Sequence, residues 1–389
     1  MKMQNKGSPE NLVLKELESK LRNDFTYGSG RIIGSMCTCP HPLAKKAHTR
    51  FLDRNVGDSG LFPAVVKLEK EAIHMLGTLL SNPRASGHIL TGGTEANTLA
   101  LWTARKLAKK KNCEVIVPAS SHYSFDKAAD LLGLKIVRAR LNNRFQVDVE
   151  AVEKAINSNT IAIVGIAGTT GLGVVDPISE LSDVAVEKDL YLHVDAAFGG
   201  FVLPFLKELG FNVPDFDFSL PGVCSITIDP HKMGLAPIPS GGILFRNEKL
   251  RKAIAWNVSY LAGGETEQAT FVGTRSGASV ISVWALLKHL GKEGYKKIVE
   301  SCMRLTRELA REIQNTDGLD IAIEPTMNIV GIKSKVFDIR RIEKELRLKK
   351  WAVSLFPNHI RIVVMPHVQE EHIEKFLEDL KDIVDKWGG

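Results

Sequence analysis

The chain has 389 residues, 44% hydrophobic and 25% charged, with a net charge of +6. That balance describes a soluble globular protein with room for one large core or two smaller ones. The charge is small for the length and its Lys and Glu residues are interspersed, which excludes a nucleic-acid footprint, and no apolar run approaches the ~18 residues of a membrane span.

The first stretch, MKMQNKGSPENLVLKELESKL, has no apolar h-region. It predicts a charged helix rather than a signal peptide, and a cytoplasmic protein. The five cysteines, Cys37, Cys39, Cys113, Cys224 and Cys302, are odd in number and scattered, which argues against a disulfide framework. Cys37-Thr38-Cys39-Pro40-His41 is half of a metal-binding pattern with no second half, so no structural metal is expected.

From residue 63 the pattern alternates. Helices are predicted over 63–80, 95–110, 125–132, 149–157 and 178–188, and strands over 88–90, 115–117, 135–139, 161–166 and 191–194. Strands over 225–228 and 242–245 extend the series, and residues 275–315 read as mostly helical. Near-continuous apolar strands between helices predict a largely parallel sheet covered on both faces. The last segment mixes strands near Ile321, Ile329, Val353 and Ile362 with two helices, a small α+β unit. The expected division is an arm over 1–50, a large domain over 51–295 and a small domain over 296–389.

Ligands of such sheets sit beyond the carboxyl ends of the strands. After His88-Ile89-Leu90 comes Thr91-Gly92-Gly93-Thr94-Glu95-Ala96-Asn97, either an anion site at a helix N-terminus or a Thr-capped turn. After the next strand stands His122, by itself an ordinary loop histidine. The strand ending at Ile166 leads to Gly168-Thr169-Thr170-Gly171, with Asp176-Pro177 expected to cap the following helix. Tyr191-Leu192-His193-Val194 leads to Asp195-Ala196-Ala197; an acid there is partly desolvated and needs a cation, and the alanines leave room for a flat ring. Ile226-Thr227-Ile228 is cut off by Asp229-Pro230, and His231-Lys232-Met233-Gly234 follows. One ligand explains all five loops: pyridoxal 5′-phosphate, with its anionic tail, basic ring nitrogen and aldehyde open to a lysine amine.

At these residues the chain resembles the group II pyridoxal-phosphate-dependent decarboxylases, and within them the archaeal L-tyrosine/L-aspartate decarboxylases. The matching pieces are GSMCTCPHP, GDSGLF, TGGTEAN, SSHYSF, IAGTTGLGVVDPI, HVDAAFGG, DPHKMG, IPSGGILF, VGTRSG and RIVVMPH, spread over residues 34–367. The resemblance implies a fold-type I, aspartate aminotransferase-like α/β architecture with a seven-stranded sheet. It implies that Lys232 carries the cofactor, Asp195 holds the ring nitrogen, Ala197 and His122 pack on the two ring faces, and Thr170 lies near the ring edge. Gly93 and Thr94, with His231 beside them, are implied to hold the phosphate. Gly273 and Thr274 resemble a stretch that reaches the phosphate of a second subunit, so a homodimer with the site at its interface is expected. Arg361 resembles the arginine that binds a substrate carboxylate. Tyr260 and His122 are the candidates for returning a proton to the product carbon. Relatives from animals carry a longer loop where this chain has the short stretch 260–270.

The implied reaction is α-decarboxylation of an L-amino acid. L-Aspartate, giving β-alanine for coenzyme A, is the expectation taken here. L-Tyrosine, giving tyramine for methanofuran, is the alternative, followed by L-glutamate or another fold-type I lyase. Aspartate needs a second cation besides Arg361 and tyrosine an aromatic slot; Arg275, His41 and Phe62 are the residues to place. An aminotransferase or desulfurase shares the fold and the lysine, and would release a keto acid or sulfide instead of CO2.

Overall fold

A computed structural model describes residues 3–388 of the chain. Helices α1 (Glu10–Leu21), α2 (Pro42–Arg50) and α3 (Pro63–Leu79) lead into an alternating series. It runs β1 (Ser86–Leu90), α4 (Gly93–Ala108), β2 (Glu114–Pro118), α5 (Ser124–Leu132), β3 (Lys135–Ala139), α6 (Val149–Ala155) and β4 (Thr160–Ile166). It continues with α7 (Ile178–Glu187), β5 (Tyr191–Asp195), α8 (Leu203–Glu208), β6 (Val223–Ile228), β7 (Gly241–Phe245) and α9 (Glu248–Lys252). A ribbon of β8 (Trp256–Val258) and β9 (Thr266–Gln268) precedes the long α10 (Gly277–Gln314). Then come β10 (Leu319–Ile321), β11 (Ile329–Ser334), α11 (Ile339–Leu348), β12 (Ser354–Phe356), β13 (His359–Val363) and α12 (Glu370–Gly388).

The main sheet has seven strands in the order β1-β7-β6-β5-β4-β2-β3. Only β7 runs antiparallel to its neighbours, so the other strands all point their carboxyl ends the same way. The chain steps outward from β2 to β3 and then returns to lay β4 on the other side of β2, which opens a crevice at that end of the sheet. Strands β2, β4 and β5 are buried along their whole length, as their unbroken apolar runs require; edge strand β3 keeps Lys135 and Arg138 in solvent and is thereby blunted against further pairing.

Helix α4 covers the sheet with Ala96, Leu99, Ala100, Leu101 and Ala104. Burying Leu99 and Leu101 contributes roughly 1.5–3 kcal/mol each. One local expectation is corrected here. Asp176 does not cap α7; its carboxylate instead accepts from Val147 N at 2.8 Å and Ile166 N at 2.9 Å. It therefore pins the end of β4 to the loop before α6, and burial pushes its pKa up to about 7.

The second sheet, β10-β11-β13-β12, is antiparallel throughout. Residues 31–34 run beside it: Ala352 N donates to Arg31 O at 2.9 Å and Val363 N to Ile33 O at 2.7 Å, and Ile33 is fully buried there. Helix α10 serves both cores. Tyr295, Val299 and Met303 pack into the main one, and Leu305, Leu309 and Ile313 into the second. Gly291, at φ 55°, breaks its helical geometry and kinks it.

Just before α10, Arg275 grips Glu69 of α3 in a buried pair at 2.6 and 3.2 Å and also donates to Ile89 O at 2.7 Å. Burial alone would raise the Glu69 pKa, but Arg275 and His88 hold it well below the usual carboxylate range.

Candidate active site

The loops after β1, β2, β4, β5 and β6 converge on a cavity of about 340 Å³. Its walls include Gly92, Gly93 and Thr94, His122, Thr170, Asp195 and Ala197, and His231 and Lys232. Sequence reasoning therefore brought together residues from five loops that are far apart in the chain. A larger cavity, about 590 Å³, surrounds the Arg275–Glu69 pair and contains none of these residues.

Each wall has a local cause. Helix α4 starts at Gly93 with no side-chain cap on its first amides, so their N–H groups open into the cavity. A side chain at Gly93 would meet Asp229 Oδ2 at 2.9 Å, and one at Gly92 would meet the His231 ring at 3.2 Å. The turn is locked from behind, where Glu95 Oε2 accepts from Thr91 N at 2.9 Å and Thr91 Oγ1 at 2.7 Å.

At the other end, Asp195 closes β5 and is 7% exposed. Its Oδ1 accepts from Ala197 N at 3.1 Å and its Oδ2 from Asn97 Nδ2 at 3.0 Å. Lys232 Nζ lies 3.0 Å from Asp229 Oδ2, and Asp229 is 1% exposed with its Oδ1 lacking a hydrogen-bond partner. Burial opposes the charge on Lys232, but Asp229 and then Asp195 outweigh it, leaving the amine above the usual lysine range. His122 and His231 are both shifted down, chiefly by burial, so both rings are favoured as neutral imidazoles. His231 accepts from Ser240 N through Nδ1 at 3.3 Å, which leaves its Nε2 to carry the hydrogen.

Other residues lie elsewhere. Arg361 does not line the cavity but borders it through Thr170, donating to Thr170 O at 2.7 Å, Gly34 O at 2.6 Å and Ser354 Oγ at 3.1 Å. Its Nε is buried without a partner, and burial lowers its pKa to about 10. Tyr260 is 86% exposed, and Gly273 and Thr274 are exposed as well. His41 caps α2 by accepting from Leu43 N at 3.2 Å, Phe62 lines a separate apolar cavity, and Arg275 is engaged with Glu69. None of these three lines the Lys232 cavity.

Sequence reasoning gave no role to Asn97 or Asp229. Asn97 stands four residues after Gly93, one helical turn on, and so shares its face; that spacing was the available signal. Asp229 looked like a strand terminator because proline follows it.

The donor set fits pyridoxal 5′-phosphate. Open amides at a helix start suit its dianionic tail. A carboxylate in the same cavity suits its ring nitrogen, glycine and alanine leave the space of a flat ring, and the half-buried amine of Lys232 stands beside them.

The model of the pyridoxal-dependent decarboxylase conserved domain matches residues 52–335. An L-aspartate/L-glutamate decarboxylase of Pyrococcus horikoshii is 53% identical over 99% of this chain and 100% of its own. A probable L-tyrosine/L-aspartate decarboxylase of Methanothermobacter thermautotrophicus is 51% identical over 92% of this chain and 99% of its own. Among solved structures, a sphingosine-1-phosphate lyase of Burkholderia pseudomallei superposes with a TM-score of 0.92 at 30% identity, covering 99% of this chain and 92% of that one. Match and geometry agree, and the chain belongs to the pyridoxal-dependent decarboxylases.

Proposed function

We propose that the chain releases CO2 from the α-carboxylate of L-aspartate, giving β-alanine, a precursor for coenzyme A. The observation that carries the reading is the meeting of the Lys232 amine, the Asp195 carboxylate and the open N-terminus of α4 in one cavity. When bound, the cofactor supplies a sink for the electron pair left at Cα as CO2 departs.

The chain's own residues do the rest. Lys232 holds the cofactor aldehyde. Asp195 favours a positive charge on the ring nitrogen by opposite-charge pairing in a partly desolvated site. Gly93 and Thr94 would present amides to the phosphate, with neutral His231 beside them, and Ala197, His122 and Thr170 would bound the ring. Arg361 is the carboxylate partner we propose, through its buried and unpartnered Nε–H; three of its other four N–H groups are engaged by Thr170, Gly34 and Ser354. His122 lines the cavity and is the proton carrier proposed for it; Tyr260, the other candidate, is 86% exposed and does not line that cavity.

Aspartate is the one substrate named for both relatives above. A second reading, tyrosine, is favoured by an apolar cavity of about 390 Å³ that shares His122 and Thr170 with the first and is lined by Leu141, Phe145, Leu172 and Phe356. Measured side by side, CO2 release from aspartate should exceed that from tyrosine and glutamate by at least about tenfold in kcat/KM, a difference of ~1.4 kcal/mol. A higher value for tyrosine would replace the aspartate reading with the second.

The working unit is a homodimer. Helix α1 has no buried residue and exposes Leu12, Val13, Leu14, Leu17 and Leu21. A helix of this length is marginal in water unless its apolar face is covered. Exposed Leu61, Phe271 and Val272 add to the surface left for a second copy, and Gly273 and Thr274 adjoin it. Changing Leu14 and Leu17 together to Glu should shift the sedimenting mass from dimer to monomer and lower activity; an unchanged mass would count against this interface.

The arm to residue 50, large unit to 295 and small unit beyond remain our division, with residues 31–34 packed on the small unit. We infer a cytoplasmic setting, since the cysteines are all free. No helix among the described residues is long and apolar enough to cross a membrane.

A further inference from the structure

Beneath Asp195 lies a line of buried polar side chains. Alternation along β5 puts Tyr191, His193 and Asp195 on one face, and the register with β6 sets Ser225 beside His193 and Thr227 beside Asp195. Helix α4 lowers Asn97 onto this face. Asn97, His193, Ser225 and Thr227 are all at most 1% exposed.

Their hydrogen bonds run in one direction. Tyr191 OH donates to Ser225 Oγ at 2.7 Å. The serine's own hydrogen then goes to His193 Nδ1, 2.8 Å away. With Nδ1 accepting, the neutral ring carries its hydrogen on Nε2, which donates to Asn97 Oδ1 at 3.0 Å. Thr227 Oγ1 donates to the same oxygen at 2.7 Å. Both lone pairs of Asn97 Oδ1 are thus engaged, and its NH2 group must face Ser124 Oγ at 2.9 Å and Asp195 Oδ2 at 3.0 Å.

The reverse polarity has a definite cost. A hydrogen on His193 Nδ1 would make Nε2 an acceptor; turning the Thr227 hydroxyl, 3.3 Å away, to supply it would leave Asn97 Oδ1 facing that nitrogen with neither of its donors. Turning the amide over to relieve that clash would aim its oxygen at Asp195, which only a protonated acid could tolerate.

We propose that Tyr191, Ser225, His193 and Asn97 are positioning residues forming a one-way hydrogen-bond relay that locks Asp195 as an oriented anion. The relay rests on the reading of Asp195 as partner of the ring nitrogen. It accounts for a histidine buried in the sheet and for an asparagine of α4 that reaches Asp195 from the wall of the same cavity. Burial lowers the His193 pKa to about 4, consistent with the neutral ring the relay needs.

Two measurements test it. In the full chain labelled with 15N-histidine, the His193 resonances, identified by their loss in His193→Gln, should show the Nε2–H neutral tautomer. An Nδ1–H tautomer or a charged ring would overturn the relay. Second, cofactor-stripped full chain is titrated with pyridoxamine 5′-phosphate and with its 1-deaza analogue, which has carbon in place of the ring nitrogen. Asn97→Leu should weaken binding of the first by at least about tenfold, as expected for one charged hydrogen bond, and Tyr191→Phe by less, with the analogue unaffected. Equal losses for both ligands would reveal packing damage alone and overturn the proposal. Should Asn97→Leu fail to fold, Tyr191→Phe and the tautomer decide. If Asp195→Asn itself fails to separate the two ligands, the role of Asp195 falls, an outcome distinct from failure of the relay.

Discussion

Lys232→Ala should lower CO2 release by at least about a thousandfold, more than ~4 kcal/mol of barrier. Borohydride should fix cofactor to position 232 of the unaltered chain and leave none there in the variant. The expectation follows from placement. Lys232 is the lysine lining the cavity, and it enters from the end of β6, where Asp229-Pro230 stops the strand and turns the backbone. Its removal also leaves Asp229, 1% exposed, without its cation. A thermal melt should accompany the assay, because an uncompensated buried carboxylate is destabilising in its own right. Near-normal turnover in a folded Lys232→Ala chain would end the assignment.

Asp195→Asn should cost about 10²–10³-fold in kcat/KM, or ~2.7–4 kcal/mol, the range for removing one electrostatic contact at a reacting centre. Two effects combine. The neutral side chain no longer favours a cationic ring nitrogen. Its carboxamide also has one oxygen for two donors, Ala197 N and Asn97 Nδ2, so an NH2 group must oppose an N–H. A loss below tenfold in a variant that melts like its parent would remove Asp195 from the part given to it.

Most of the large unit was legible because its strands are buried on both faces and its helices on one. Unbroken runs such as Ile161–Ile166 and the 3.6-residue spacing in α4 state their burial directly. The cavity was legible for a related reason, since loops at one end of a parallel sheet must converge. The fate of individual polar side chains was not. Asp176 stood where a helix cap belongs, yet two amides from other segments claimed it. Asn97 was given no role, and its burial depends on His193 and Thr227, which lie 96 and 130 positions away. The packing of residues 31–34 beside β13 is likewise a long-range fact with no local pattern.

Arg361 fastens Gly34, Thr170 and Ser354 with one guanidinium. Three segments distant in the chain therefore share a single rivet at the rim of the cavity. Anyone seeking to retune this enzyme toward a different amino acid by exchanging that arginine would loosen the scaffold before altering its taste. The neighbouring apolar chamber is the better ground for redesign at Phe145, since its other phenylalanine, Phe356, stacks on His359 and lies under Arg361 itself.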